Sequence, residues 1–314
     1  MTGPLFDDLS VGVTIPPLPA VTLTEADNVA YRAITGDQHR LAADVIAYRA
    51  VGGRGVLANP ALVMQYAIGQ TTNATRRAIA NLYYRSVRIL RPVEVGETLT
   101  TTTTVLGLRD ATPKDGQHRG KVWLGIRAVT EQGPVIEMER CALLPARGPC
   151  GHDGGIPGPG AVAPLDDLAG LCPAWDLGLL PATSWALGET RLDPLRDLVD
   201  MAPALARMTF NQAAVHRDAT LGPAGRRLVY GGHVQGLAQA SLTRVLPGLA
   251  MVLAWDGCDH LAPAFEGDLV EFGHHLVEES PAGGGRLLRF VTTGTRLSDG
   301  PVDILRWTPV VWAP

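Results

Sequence analysis

Apolar and polar positions along the chain follow two rhythms, and each occurs twice. Thr22 to Ile34 recurs near helical spacing, with Thr22 or Thr24 as the cap and acids in the first turn. Gly36 suits the end of that helix. Leu41 to Val51 predicts a second short helix. Ala61 to Ala67 opens a longer apolar one, with Pro60 in its first turn, where a missing N–H costs nothing. From Ala78 onward the pattern changes to strands: Asn81–Leu90, Thr98–Leu108, Lys121–Thr130 and Val135–Leu144, the second rich in Thr and Val. The second half repeats the plan. Asp193 to Met208 predicts a helix, with Asp193 as cap and Pro194 in the first turn, and Val234 to Val245 predicts a long one. Leu249–Trp255, Asp268–Glu278, Gly285–Thr293 and Val302–Trp312 follow as strands.

Helices followed by strands make each half α+β. Between the halves, residues 148–167 are dominated by Gly and Pro and predict a linker, with His152 and Asp153 as solvated loop residues. The expected organisation is therefore 1–147, a linker at 148–167, and 168–314. A weak internal repeat agrees with it. Asp37 to Asn59 and Asn211 to His233 both span 22 residues, while Pro60 to Gly96 spans 36 and His233 to Gly267 spans 34.

Composition narrows the function classes. The chain has 314 residues, of which 46% are hydrophobic and 18% charged, ordinary for a globular protein. Aromatic residues make up only 5%, so Ala, Val and Leu are expected to fill most of the core. Net charge is −4 with the signs interspersed, which argues against a nucleic-acid partner. No apolar run approaches the roughly 20 residues of a membrane span, so no membrane partner is expected. The N-terminus lacks a basic stretch followed by an apolar core, so no signal peptide is expected. The four cysteines, Cys141, Cys150, Cys172 and Cys258, have no metal-ligand spacing and read as free thiols of a cytoplasmic protein. No metal site is expected.

The densest chemistry lies in Asn211-Gln-Ala-Ala-Val-His216 and Gly225-Arg-Arg-Leu-Val-Tyr-Gly-Gly-His233. His216 can take and return a proton near neutral pH. Asn211, five positions earlier, cannot accept a proton but can orient a water. Gly231 and Gly232 open a helix, where a ligand can approach free N–H groups at the positive end of the helix dipole; Gly232 is the expected oxyanion donor. Arg217, Arg226 and Arg227 are local cations suited to a carboxylate or to phosphates. Tyr230 and His233 flank the glycines as expected pocket residues. His274 and His275 face opposite sides of a strand and receive no role. In the first half, Asp37 and His39 are two apart rather than five, and Asn59-Pro60 stands where the glycines would be. They read as loop and helix-cap residues.

This stretch resembles the MaoC-like hydratases of the hotdog superfamily, nearest to the mesaconyl-CoA hydratase (β-methylmalyl-CoA dehydratase) branch. The likeness extends to Phe6-Asp-Asp-Leu-Ser-Val-Gly12, Ala78-Ile-Ala-Asn-Leu-Tyr83, Gly96-Glu-Thr-Leu99, Val105-Leu-Gly-Leu-Arg109 and Phe265-Glu-Gly-Asp268, in that order along the chain. The resemblance implies a double hotdog: two repeats, each a long helix wrapped by an antiparallel sheet. The first would shape the acyl pocket without chemistry of its own, and the second would carry it. It implies a hydro-lyase acting on an α,β-unsaturated acyl-CoA thioester, with mesaconyl-CoA or a related branched or dicarboxylic enoyl-CoA as substrate. CoA enters only as part of the substrate, and no other cofactor is implied. Many R-specific enoyl-CoA hydratases of the superfamily carry Asp where this chain has Asn211, whereas Asn is usual in the mesaconyl branch. Two alternatives stay open, since fold does not decide chemistry. One is a dehydratase or thioesterase acting on a carrier-bound acyl chain. The other is a catalytically silent acyl-thioester-binding protein. Pairing of double units into a homodimer is a further expectation.

Overall fold

The computed structural model describes residues 3–158, 162–182 and 184–314. Of the expected linker, positions 159–161 lie outside the described residues. The first half runs α1 (Glu25–Thr35), α2 (Arg40–Ala43), α3 (Val45–Val51) and α4 (Pro60–Gln70), then strands β1 (Ala80–Ile89), β2 (Thr98–Lys114), β3 (Gln117–Thr130) and β4 (Gly133–Pro145). The second half runs α5 (Ala202–Met208) and α6 (Gly231–Val245), then β5 (Met251–His260), β6 (Leu269–Ala282), β7 (Gly285–Arg296) and β8 (Val302–Ala313).

The eight long strands form one antiparallel sheet in the order β2-β3-β4-β1-β5-β8-β7-β6. Each half therefore contributes four neighbouring strands in mirrored order. The halves join at β1 and β5, where Tyr84 pairs with Cys258 and Val87 with Trp255. Short strands at Thr14–Ile15 and Thr190–Leu192 close the two edges.

The sheet wraps α4 and α6. Every residue of α4 is buried, which fits a sequence apolar on all sides. The two helices meet through Gln65, whose amide donates to Gln235 Oε1 at 2.8 Å. Aliphatic residues dominate the core in number, yet its largest fully buried side chains include Trp255, Trp307 and Trp312. Trp255 stacks edge-on against both Tyr84 and Trp307.

Local differences from the sequence pattern have visible causes. Asp44 splits the expected 41–51 helix by capping α3 through Ile46 and Ala47 N–H. Asp193 does not start an α-helix: its Oδ2 pairs with Arg244 at 2.5 Å while its Oδ1 accepts Leu195 N–H at 3.0 Å in a local turn, and the chain is helical only from Ala202. The repeat is also more regular than residue matching suggested. Counted from the true helix starts, Pro60 to Gly96 and Gly231 to Gly267 both span 36 residues, and both closing glycines adopt positive φ. The linker is pinned along the sheet: a backbone β-bridge joins residue Asp153 to Arg109, His152 packs edge-on against Phe6 at 5.6 Å, and Tyr83 donates to the Pro157 carbonyl. A 3-10 turn begins at Leu165.

All four cysteines are free thiols. No helix among the described residues is long and apolar enough to cross a membrane. Among the same residues, no group of three or more His, Cys, Asp or Glu is placed to hold a metal ion.

Candidate active site

A cavity of about 380 Å³ opens where the two halves meet. The first half lines it with Thr72, Thr75, residues 78–81, Tyr84 and Arg140, and the second with Asn211, His216, residues 228–232 and His260.

The loop after α5 carries the first group. Phe210 takes a left-handed conformation (φ 59°), and Asn211 N–H then folds back onto the Ala206 carbonyl at 2.9 Å. Asn211 Oδ1 accepts Ala213 N–H at 3.0 Å, an Asx turn that aims the chain into the 3-10 turn Ala214–His216. Gln212 N–H donates to Thr72 Oγ1 of the first half at 2.9 Å. Asn211 is buried and lines the cavity, and its Nδ2 makes no hydrogen bond among the described residues.

His216 Nδ1 lies 2.9 Å from the Leu228 carbonyl oxygen. A carbonyl only accepts, so Nδ1 carries the proton and the neutral ring keeps its lone pair on Nε2. Leu228 is itself held by a β-bridge to Phe265. Burial is the main cause that drives the His216 pKa down to about 4, so the ring is neutral at pH 7. The Tyr230 ring lies 5.7 Å away, with its hydroxyl buried and unpartnered.

Gly231 and Gly232 begin α6. The helix has no side-chain cap, so its first N–H groups have no intrahelical acceptor. A Cβ on Gly231 would come within 2.5 Å of His260 Nε2, and one on Gly232 would overlap the Gln65 amide oxygen and the Tyr230 hydroxyl. Both positions therefore need glycine for space. The matching end of α4 is closed: Asn59 Oδ1 accepts Ala61 and Leu62 N–H, and Pro60 has no N–H to give. Asp37 and His39 are consumed nearby in structure. Asp37 accepts His39 N–H at 2.7 Å and Asn59 Nδ2 at 3.2 Å, while His39 Nδ1 accepts Ala42 N–H and caps α2.

Four expected pocket residues are placed elsewhere. His233 faces the packed interior, fully buried, and does not line the cavity. Arg217 donates to the Asn211 carbonyl at 2.6 Å and clamps the loop from behind. Arg226 pairs with Asp268 at 3.2 Å and sits over the Phe265 ring, and Arg227 pairs with Glu266. The acids of the 263–268 turn draw both arginines outward.

His260 and Arg140 are among the lining residues that the sequence did not single out. His260 ends β5, and burial drives its pKa down to about 4. Arg140 is the cavity's cation. It stands on the same strand face as the buried Met138 and Ala142, and a charge on an apolar face was the available signal.

No family model matches the chain. A conserved hypothetical protein from Mycobacterium tuberculosis, described as having a double hotdog fold, is 37% identical and superposes with a TM-score of 0.88 over 99% of this chain and 98% of its own. A putative MaoC domain protein dehydratase from Chloroflexus aurantiacus is 25% identical, with a TM-score of 0.89 over 99% of this chain and 97% of that one. The chain belongs to the MaoC-like double-hotdog family. The two wrapped helices are thus the cores of two hotdog units in one α+β chain. A mesaconyl-CoA hydratase from Cereibacter sphaeroides is 29% identical over 92% of this chain and 89% of its own.

Proposed function

We propose that the protein is a hydro-lyase that reversibly adds water across the double bond of an α,β-unsaturated acyl-CoA thioester. One observation carries this: a neutral, carbonyl-locked His216 shares a cavity with the uncapped start of α6 at Gly231 and Gly232. The named hydratase relative supports the same reading.

Each part has a step to perform. His216 Nε2 takes a proton from water as the water oxygen bonds to the β-carbon. The π electrons move to the thioester oxygen, where the Gly232 N–H, with Gly231 beside it, stabilises the enolate. The enolate then collapses, and the α-carbon takes the proton back from His216. Asn211 orients the water through Nδ2, because its Oδ1 is spent in the Asx turn. Tyr230 closes one wall. The first half, with its helix end filled by Asn59, contributes walls rather than a second catalytic centre.

CoA arrives with the substrate and no further cofactor is required. Mesaconyl-CoA or a related branched or dicarboxylic enoyl-CoA is the substrate class. The protein acts in the cytoplasm, and a homodimer of double units is the proposed assembly. The thioesterase alternative is disfavoured because, among the described residues, no carboxylate lines the cavity to serve as a hydrolytic base. A panel of enoyl-CoAs followed by loss of the conjugated-thioester absorbance tests the proposal. Thiol release instead would support hydrolysis, and tight binding without either change would support a silent binder.

A further inference from the structure

Arg140 is a buried guanidinium without an acid. Its Nε donates to Asn81 Oδ1 at 2.6 Å and its Nη1 to Thr71 Oγ1 at 2.8 Å. Its Cζ lies 5.9 Å from the Tyr84 ring centroid, and among the described residues Nη2 makes no hydrogen bond and no carboxylate pairs with Arg140. The other arginines with comparably low exposure, Arg244 and Arg289, each hold two carboxylates. The charge of Arg140 reaches Tyr84, Tyr230, Cys141, His216 and His260.

The rest of the cavity has the same bias. Asn81 spends its oxygen on Arg140, so its Nδ2 is a fixed donor, and that atom is buried without a partner. Among the described residues, Thr75 Oγ1 and Tyr230 OH are buried and unpartnered as well, and both residues line the cavity. Among the described residues, no Asp or Glu lines it. Leaving a buried amide donor unmatched beside a cation that has no counter-charge is costly, and a bound anion with two oxygens removes both mismatches.

We infer that Arg140, with Asn81 beside it, is the specificity-determining residue of this cavity and receives a carboxylate carried on the acyl group itself. The site is then built for an acidic acyl thioester and discriminates against the plain fatty acyl chain of the same length. The inference rests on the hydratase reading only for the thioester that carries the acyl group.

Binding of succinyl-CoA and butyryl-CoA, neither of which can be hydrated, tests it by calorimetry without turnover. The wild-type protein is expected to bind succinyl-CoA at least about tenfold more tightly, a difference of about 1.4 kcal/mol. Arg140→Gln should bring the ratio to about one. Should that variant fail to fold, Asn81→Asp places a carboxylate against the same guanidinium and should abolish the preference with Arg140 in place. Equal or weaker binding of succinyl-CoA by the wild type overturns the inference, as does a preference that survives both substitutions. A wild type that prefers succinyl-CoA but hydrates no enoyl-CoA would refute the hydratase reading and leave the carboxylate pocket standing.

Discussion

His216 is held by a single backbone carbonyl, and this makes its chemistry testable. His216→Ala removes the proton carrier and is expected to lower kcat/KM by about 10²–10⁴. Far-UV circular dichroism should stay unchanged, because the ring makes one hydrogen bond to a carbonyl already fixed by its strand bridge. Retention of normal turnover would remove His216 from the mechanism. The pH profile is a second check. The free ring titrates near ~6.5, but burial holds His216 at about 4. Activity needs the neutral form, so kcat/KM should stay level from pH 7 down toward 5 and fall as pH drops through about 4. An acid limb near 6.5 would mean that the ring is solvated. At this scale the sequence was informative where chemistry follows residue type and spacing, as for His216, Asn211 and the glycine pair, all of which line one cavity. It was uninformative where partners decide. Arg226 and Arg227 look like ligand cations until Asp268 and Glu266 are seen to take them, and Arg140 becomes conspicuous only once its strand face is known.

The helices α4 and α6 occupy equivalent places, begin 36 residues before equivalent glycines, and differ at their first turn. Asn59 fills the start of α4 with its own amide oxygen, whereas α6 leaves its start open to the cavity. Asn59→Ala should therefore cost stability, about 0.5–2 kcal/mol for the lost cap, while kcat changes little; urea unfolding beside steady-state kinetics separates the two. Gly232→Ala should do both. The new methyl runs into Gln65 and Tyr230, an overpacking cost of about 1–3 kcal/mol, and shifting those groups displaces the N–H donors. A Gly232→Ala protein with wild-type kcat would rule out an oxyanion role at this turn. Element type was readable because the apolar period changes from helical to alternating at Ala78. Boundaries were less so. Asp193 resembles a cap by residue type and does accept Leu195 N–H, but its other oxygen is held by Arg244, distant in sequence, and no helix begins before Ala202. The pairing of β1 with β5 is likewise a contact between segments with no shared local signal.

Across the whole molecule, the wrapped sheet buries imidazoles in both the cavity and the core. Burial drives the pKa values of His216, His233 and His260 each down to about 4 and that of His274 to about 3. In the unfolded chain these rings titrate near ~6.5. Between those limits the unfolded state binds more protons than the folded one, so stability must rise with pH and fall on acidification. The loss begins as pH drops below about 6.5, before ordinary carboxylates protonate, and levels off near the folded values. His233 isolates the effect. Among the described residues, neither of its buried ring nitrogens has a partner, it lies outside the cavity, and nothing but burial shifts it. His233→Leu removes one proton-binding site from the unfolded state and relieves a mismatch worth about 1–3 kcal/mol. The variant should melt higher than the wild type at pH 7, and the gap should widen as pH is lowered toward 5. Scanning calorimetry from pH 7.5 to 4.5 measures both. A wild-type Tm that is flat over that range, or a His233→Leu gap that narrows with acid, would show that these rings protonate freely inside the fold. The neutral, carbonyl-locked imidazole on which the mechanism depends would then fail as well, since the same burial produces it.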